Sequence, residues 1–114
     1  MTDEHPAPLE VTERHDDQGS YELQLAGEVD LSSLPVIKTH LDRILSAAPV
    51  RVSFELSEVG FMDSSGIGML LEVADAVPDI ALVNPSPAVS RLVELCGLRS
   101  ILPMTMVPTL PVTL

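Results

Sequence analysis

Residues able to do chemistry crowd together in one stretch of the chain, Gly60-Phe61-Met62-Asp63-Ser64-Ser65-Gly66-Ile67-Gly68. An acidic residue, two adjacent hydroxyls and two glycines stand there inside an otherwise apolar part of the sequence. Two kinds of chemistry fit them. In the first, Asp63 or Ser64 caps the helix that follows, accepting from backbone N–H groups that lack partners of their own, at a gain of about 1 kcal/mol. In the second, a hydroxyl is an atom that another protein modifies. The glycines argue for the second. Gly66 and Gly68 fall in the first helical turn, where each costs up to about 1 kcal/mol relative to Ala. A helix meant only for packing has no need of them, whereas their bare backbone admits close approach by another chain. A phosphoryl group on Ser64 would bring about −1.5 to −2 charges to the positive end of a helix dipole, so the fold tolerates it. Asp63 and its acidic surroundings would still make the spot strongly negative and drive off an acidic or apolar partner. The two readings are compatible, and together they describe a switch.

Catalysis finds few parts here. The hydrolase pattern G-x-S-x-G fails for both serines, since Met62 stands two before Ser64 and Ile67 two after Ser65. His5 lies near the N-terminus, His15 in a turn, and His40 among polar positions of the first helix. A Ser-His-Asp triad would need His40 to reach Ser64 from another helix. The histidines are too far apart for a metal motif and Cys96 stands alone. The loop lacks the lysine that a phosphate-cradling loop carries after its glycines. The expectation is a protein that is not an enzyme and needs no cofactor or metal.

The elements that position this stretch must come from 114 residues, the size of one domain. The hydrophobic fraction of 46% suffices for a core, but with 3% aromatics and no Trp it must be built from aliphatic side chains and Met. Net charge is −11, and no basic residue stands between Arg51 and Arg91. Such a surface repels a phosphate backbone, which disfavours direct nucleic-acid binding and suits either solubility or a partner with a basic docking face. A single cysteine forms no intrachain disulfide, and the flanks of Cys96 predict a buried small hydrophobe. The N-terminus MTDEHPAP is acidic and polar, unlike a signal peptide, and the apolar runs are too short to cross a bilayer. A cytoplasmic protein that does not enter the membrane is expected.

Alternation over Leu9–Glu13 and Tyr21–Ala26, around the turn cluster Asp16-Asp17-Gln18-Gly19, predicts a β-hairpin that ends at Gly27. Ser32 or Ser33 then caps a helix with Pro35 in its first turn, carried by Leu34, Ile37, Leu41 and Ile44 and stopped by Pro49. Val50–Leu56 reads as a core strand. Helical spacing resumes at Ile67, Leu70, Leu71, Ala74 and Val77, and Ile80–Val83 suits a buried strand. Ser86-Pro87 opens a third helix with Val89, Leu92, Val93 and Cys96 on one stripe, which Gly97 and Leu98 close. Ile101–Met104 is the last strand. The order β-β-α-β-α-β-α-β implies an α/β domain with a mixed sheet and helices packed on it. Its expected bounds are 9–104, between a flexible tail at 1–8 and a proline-containing tail at 105–114.

Three segments, in order, resemble the STAS domain family and within it the bacterial anti-sigma factor antagonists. Leu25-Ala26-Gly27-Glu28-Val29-Asp30 is similar to the family's L-x-G-E-[LV]-D strand exit. Gly60 to Gly68 is similar to its F-M-D-S-S-G-[LI]-G helix start. Ser86-Pro87-Ala88-Val89-Ser90-Arg91-Leu92 with Cys96-Gly97-Leu98 is similar to its S-P-x-V-x-R-L…G-L segment. The resemblance implies partner switching. The unphosphorylated protein binds an anti-sigma factor that carries a GHKL-type serine kinase domain, a sigma factor is freed, phosphorylation releases the antagonist, and a serine phosphatase resets it. Carried over by position, the acceptor is Ser64 with Ser65 beside it. Glu28, Asp30 and Asp63 would shape the kinase-facing surface. Gly66, Gly68 and an exposed helix side around Met69 and Glu72 would complete it. A monomer or weak dimer is implied, and the same fold could instead serve as a scaffolding module of a stressosome or a transporter-associated complex. Two departures stand out: the tail MVPTLPVTL replaces a C-terminal helix that the family often has, and the Val77-Pro78-Asp79 connection is short.

Overall fold

The computed structural model describes residues 8–107, so the expected tails lie, apart from Pro8 and 105–107, outside the described residues. The elements are β1 (Glu10–His15), β2 (Ser20–Val29), α1 (Leu34–Ser46), β3 (Arg51–Met62), α2 (Ser64–Ala76), β4 (Asp79–Val83), α3 (Pro87–Leu95) and β5 (Met104–Thr105), in the expected order. The five strands form one sheet in the sequence order β1-β2-β3-β4-β5. The β1–β2 pair is antiparallel and the other pairs are parallel, so the sheet is mixed as expected. The hairpin turn closes on the Asp16 carboxylate, which accepts from the N–H groups of Gln18 (2.8 Å) and Ser20 (3.1 Å). Gly19 takes the positive φ of +85° that this turn requires.

Each parallel neighbour is reached through a helical crossover, and crossovers of one hand between strands added in order place their helices on one face. The burial pattern agrees. Leu23 and Leu25 of β2, Val52, Phe54 and Leu56 of β3, and Ile80 and Leu82 of β4 share a face and join Ile37, Leu41, Ile44, Leu70, Val89 and Val93 of the helices in one core. The opposite face carries half-exposed Glu22, Gln24, Ser53 and Glu55. The edge strand is tied to the helical layer by Glu13, whose carboxylate oxygens meet His40 Nδ1 and the Arg43 guanidinium of α1, each at 2.7 Å. The hydrogen bond from Arg43, with His40 adding to it, holds the Glu13 carboxyl below the usual glutamate range.

The strand ends, α3 and the start of α1 depart from the sequence reading in five places. Strand β2 does not end at Gly27 but runs on to Val29, because register shifts on either side of Gly27 absorb its φ of +129° as irregular pairing. β3 likewise continues past Leu56 to Met62, held by pairing to this extended β2. The last strand is only Met104–Thr105; Ile101 and Leu102 lie in a turn, where Leu102 is nevertheless fully buried. Cys96 is exposed, not buried, because α3 ends there and its stripe ends with Val93. The predicted closure of α3 does form, with Leu98 N–H donating to the Val93 carbonyl and Gly97 N–H to that of Glu94 around a φ of +68° at Gly97. The fifth departure concerns the start of α1, where neither Ser32 nor Ser33 supplies a side-chain cap.

Candidate functional site

The late extension of β2 and β3 decides where the chemical residues stand. In their parallel register Glu28 pairs with Phe61 and Val29 with Met62. Hydrogen-bonded strands run about 4.8 Å apart, so Asp30 and Asp63 leave the sheet side by side at the carboxyl ends of neighbouring strands. A bond from Asp63 N–H to the Val29 carbonyl (3.2 Å) fastens the two exits. Open parallel sheets gather their functional residues at this end.

Asp63 is the cap of α2. With extended backbone (φ −106°, ψ −172°), its carboxylate accepts from the N–H groups of Ser65 (2.8 Å) and Gly66 (3.3 Å). Of the two capping candidates, then, Asp63 holds the role and Ser64 is the first residue of the helix. Ser64 is exposed and Ser65 half-buried, and neither hydroxyl makes a hydrogen bond among the described residues. An exposed hydroxyl therefore stands at a helix N-terminus whose capping is done by its neighbour.

The two glycines part company. Gly68 is exposed, and a Cβ there would meet nothing within 4 Å, in keeping with room for another chain. Gly66 is buried: a Cβ would stand 2.5 Å from Met62 Cγ and 3.0 Å from Val29 Cγ1. Contrary to the expectation drawn from both glycines, Gly66 is a packing residue that lets the first turn of α2 sit on the ends of β2 and β3. Met69 is also corrected. It is 2% exposed and belongs to the core, because the buried stripe of α2 runs through Gly66, Ile67, Met69, Leu70 and Val73. The expected stripe through Leu71 and Ala74 is rotated, and those two are half-buried. Glu72 is exposed.

On the other strand exit the Asp30 carboxylate accepts from Ser32 N–H (3.0 Å), the Ser32 hydroxyl (2.7 Å) and Ser33 N–H (3.0 Å). The Ser33 hydroxyl donates back to the Glu28 carbonyl (2.8 Å) and accepts from Asp30 N–H (3.0 Å). Asp30 thus closes the turn that leads into α1. These bonds, the Ser32 hydroxyl foremost, hold its carboxyl below the usual aspartate range, so it stays ionised at neutral pH. Glu28 and Glu58 are exposed on the same strands, and Glu72 is exposed two turns along α2. Phe61, half exposed beside Glu28, belongs to this surface, although the sequence reading gave it no role of its own. No group of His, Cys, Asp and Glu among the described residues could hold a metal ion, and no described helix is long and apolar enough to cross a membrane.

Comparison with known proteins places this geometry in context. A family model described as the STAS domain matches residues 9–111. The anti-sigma-B factor antagonist of Listeria monocytogenes is 28% identical over 98 residues, covering 82% of this chain and 84% of that protein. Among solved structures, an anti-sigma factor antagonist from Mycobacterium paratuberculosis superposes with a TM-score of 0.78 at 24% identity, covering 90% of this chain and 87% of the other. SpoIIAA, an anti-sigma factor antagonist and Bacillus cell fate determinant, matches in its unphosphorylated form (TM-score 0.75, 22% identity, coverage 87% and 89%). Its phosphorylated form matches too (TM-score 0.70, 21% identity, coverage 87% and 92%). At these identities the structural likenesses speak for the fold.

Proposed function

Because the chain belongs to the STAS domain family, we propose that it is an anti-sigma factor antagonist that works by partner switching on Ser64. Unphosphorylated, it binds an anti-sigma factor with a GHKL-type serine kinase domain in the cytoplasm and thereby frees a sigma factor. Transfer of a phosphoryl group to Ser64 releases it, and a serine phosphatase restores the binding form. The observation that carries this reading is the division of labour at the start of α2. Asp63 satisfies the backbone N–H groups, so the exposed Ser64 hydroxyl is free to react without costing the helix its cap.

The electrostatics supply the release step. A phosphate on Ser64 adds about −1.5 to −2 charges at the positive end of the α2 dipole, which the domain accommodates. The same charge falls beside Asp63 and Asp30, with no basic residue between Arg51 and Arg91 to offset it. A partner seated against Ser64 loses its fit while the fold is kept. Exposed Glu28, Gly68 and Glu72, with half-buried Ser65, complete the contact surface; Gly66 and Met69 support it from beneath.

Intact-mass measurement after co-expression with serine kinases encoded near the gene tests this. One added phosphate is expected, absent from Ser64→Ala, and Ser64→Asp is expected to weaken the complex with the kinase. A phosphate found on another residue, or a complex indifferent to Ser64→Asp, would sink the mechanism.

A further inference from the structure

We propose that the end of α3 and the turn before β5 form a self-association face, through which two copies of this chain pair about a twofold axis. This surface lies at the opposite end of the sheet from Ser64. Helix α3 starts beyond the carboxyl end of β4, where Ser86 N–H donates to the Leu56 carbonyl and the Ser86 hydroxyl to that of Val59. Nine residues later it has run about 13 Å. It delivers Leu95 and Cys96 to the amino end, from which the chain enters β5 after Pro103. The contact is separate from the surface around Ser64 and does not rest on the antagonist reading. Leu95 is 75% exposed and Ile101 50%, and Cys96 between them in sequence is exposed as well. Leu92, one turn before Leu95 on the same side of α3, is half-buried, as is Leu98. Single exposed apolar residues are ordinary, but these stand on one firmly held segment. Leu98 N–H donates to the Val93 carbonyl, Ile101 and Leu102 N–H both donate to that of Leu98, and the Leu102 side chain is fully buried. An apolar surface fixed in this way loses little conformational entropy on docking.

Charge selects the occupant. Of the 17 acidic residues, Glu94 alone stands after Asp79. From there to the end the charged residues are Arg91, Glu94 and Arg99, so this part is slightly positive on a chain of net charge −11. Two copies brought together elsewhere set acidic surfaces against each other. Here apolar meets apolar while the acids stay apart. A twofold contact must also be self-complementary, and both signs are present. Arg99 Nη1 stands 3.8 Å from Glu94 Oε1, and both side chains are more than half exposed. An exposed pair of this kind contributes little within one chain, so each member is available to meet its opposite across the axis. A uniformly acidic ligand would be opposed by Glu94, and a uniformly basic one by Arg91 and Arg99.

Sedimentation equilibrium of the full chain over rising concentration tests this, with the reaction of the native Cys96 thiol with a maleimide as the local readout. The mass is expected to climb from one chain to two and stop there, and Cys96 to react more slowly as it does. Leu95→Asp and Arg99→Glu, both at exposed positions, should each weaken pairing by about tenfold without moving the melting temperature. Adding Glu94→Arg to Arg99→Glu should restore it. A chain that stays single at every concentration, a mass that climbs past two, variants without effect, or Cys96 reactivity indifferent to concentration would overturn the proposal. So would a faster Cys96 reaction in the single chain on Leu110→Asp with Val112→Asp, which would make the C-terminal segment the occupant. Kinase assays separate this from the antagonist reading. Phosphorylation of Ser64 in a chain that never pairs removes this face and leaves the antagonist; pairing without any Ser64 phosphorylation does the reverse.

Discussion

Helices α1 and α2 leave neighbouring strands with similar residues, Asp30-Leu31-Ser32-Ser33 and Asp63-Ser64-Ser65, yet they use their hydroxyls in opposite ways. Before α1 every hydroxyl is occupied: Ser32 is bound to the Asp30 carboxylate, and Ser33 is drawn back to the Glu28 carbonyl. Before α2 the aspartate caps with extended backbone, and both serines fall inside the helix with their hydroxyls unclaimed among the described residues. The spacing accounts for the contrast. Leu31 delays the first turn, so Ser33 sits at the boundary in helical backbone (φ −95°, ψ −13°), where it braces the strand exit. The contrast teaches that a serine at a helix start keeps its hydroxyl free only where a neighbour takes over the capping.

The sharpest way to break this contrast is to exchange the fates of the hydroxyls. Ser64→Ala is expected to abolish kinase-dependent phosphorylation entirely, while Ser32→Ala keeps it in full, as read by intact mass. Next in size is Gly66→Ala. The added methyl meets Met62 and Val29, and overpacking of this kind costs about 1–3 kcal/mol in urea unfolding. Gly68→Ala, two residues along the same turn in open space, is expected to leave stability unchanged or raise it by up to about 1 kcal/mol. Removing the α2 cap with Asp63→Ala should cost about 1 kcal/mol and speed amide exchange at Ser65 and Gly66, whereas Asp63→Asn retains most of the cap.

The smallest expected effect is in pH. Asp30 and Glu13 both have lowered folded-state values. Their contribution to stability is therefore complete above the ordinary carboxylate range and is lost as pH falls through the lowered values. The melting temperature should drop on acidification through that window. Asp30→Asn and Glu13→Gln should each flatten the slope; an unchanged slope in both would remove these carboxylates from the acid response.

The element order was readable because the apolar residues keep strand and helix periods and because Ser86-Pro87 and Gly97 mark ends by local chemistry that tertiary structure did not override. The strand ends at the site were not. The second strand read as ending at Gly27 and the third at Leu56, yet long-range pairing of β2 with β3 carries both strands onward. Cys96 and Met69 show a second limit. One sits just past the end of a stripe and the other just beside it, and a short window of sequence does not fix helix rotation to within one residue. Gly66 shows a third. Bare backbone suits both a visiting partner and a tight internal seat, and only the positions of Met62 and Val29 distinguish them. The capped helix start itself was readable, since the Asp63 cap depends on adjacent residues alone.

The bond from Asp63 to Val29 has a kinetic consequence. The Asp63-Ser64-Ser65 segment takes its shape only when two strands separated in sequence by the whole of α1 have paired, a non-local step that comes late compared with helix formation. A newly made or unfolded chain therefore carries the Asp-Ser-Ser triplet without its seat. Under the proposed function, a partner that reads the seated triplet would respond to the number of finished domains, coupling its output to successful folding as well as to phosphate.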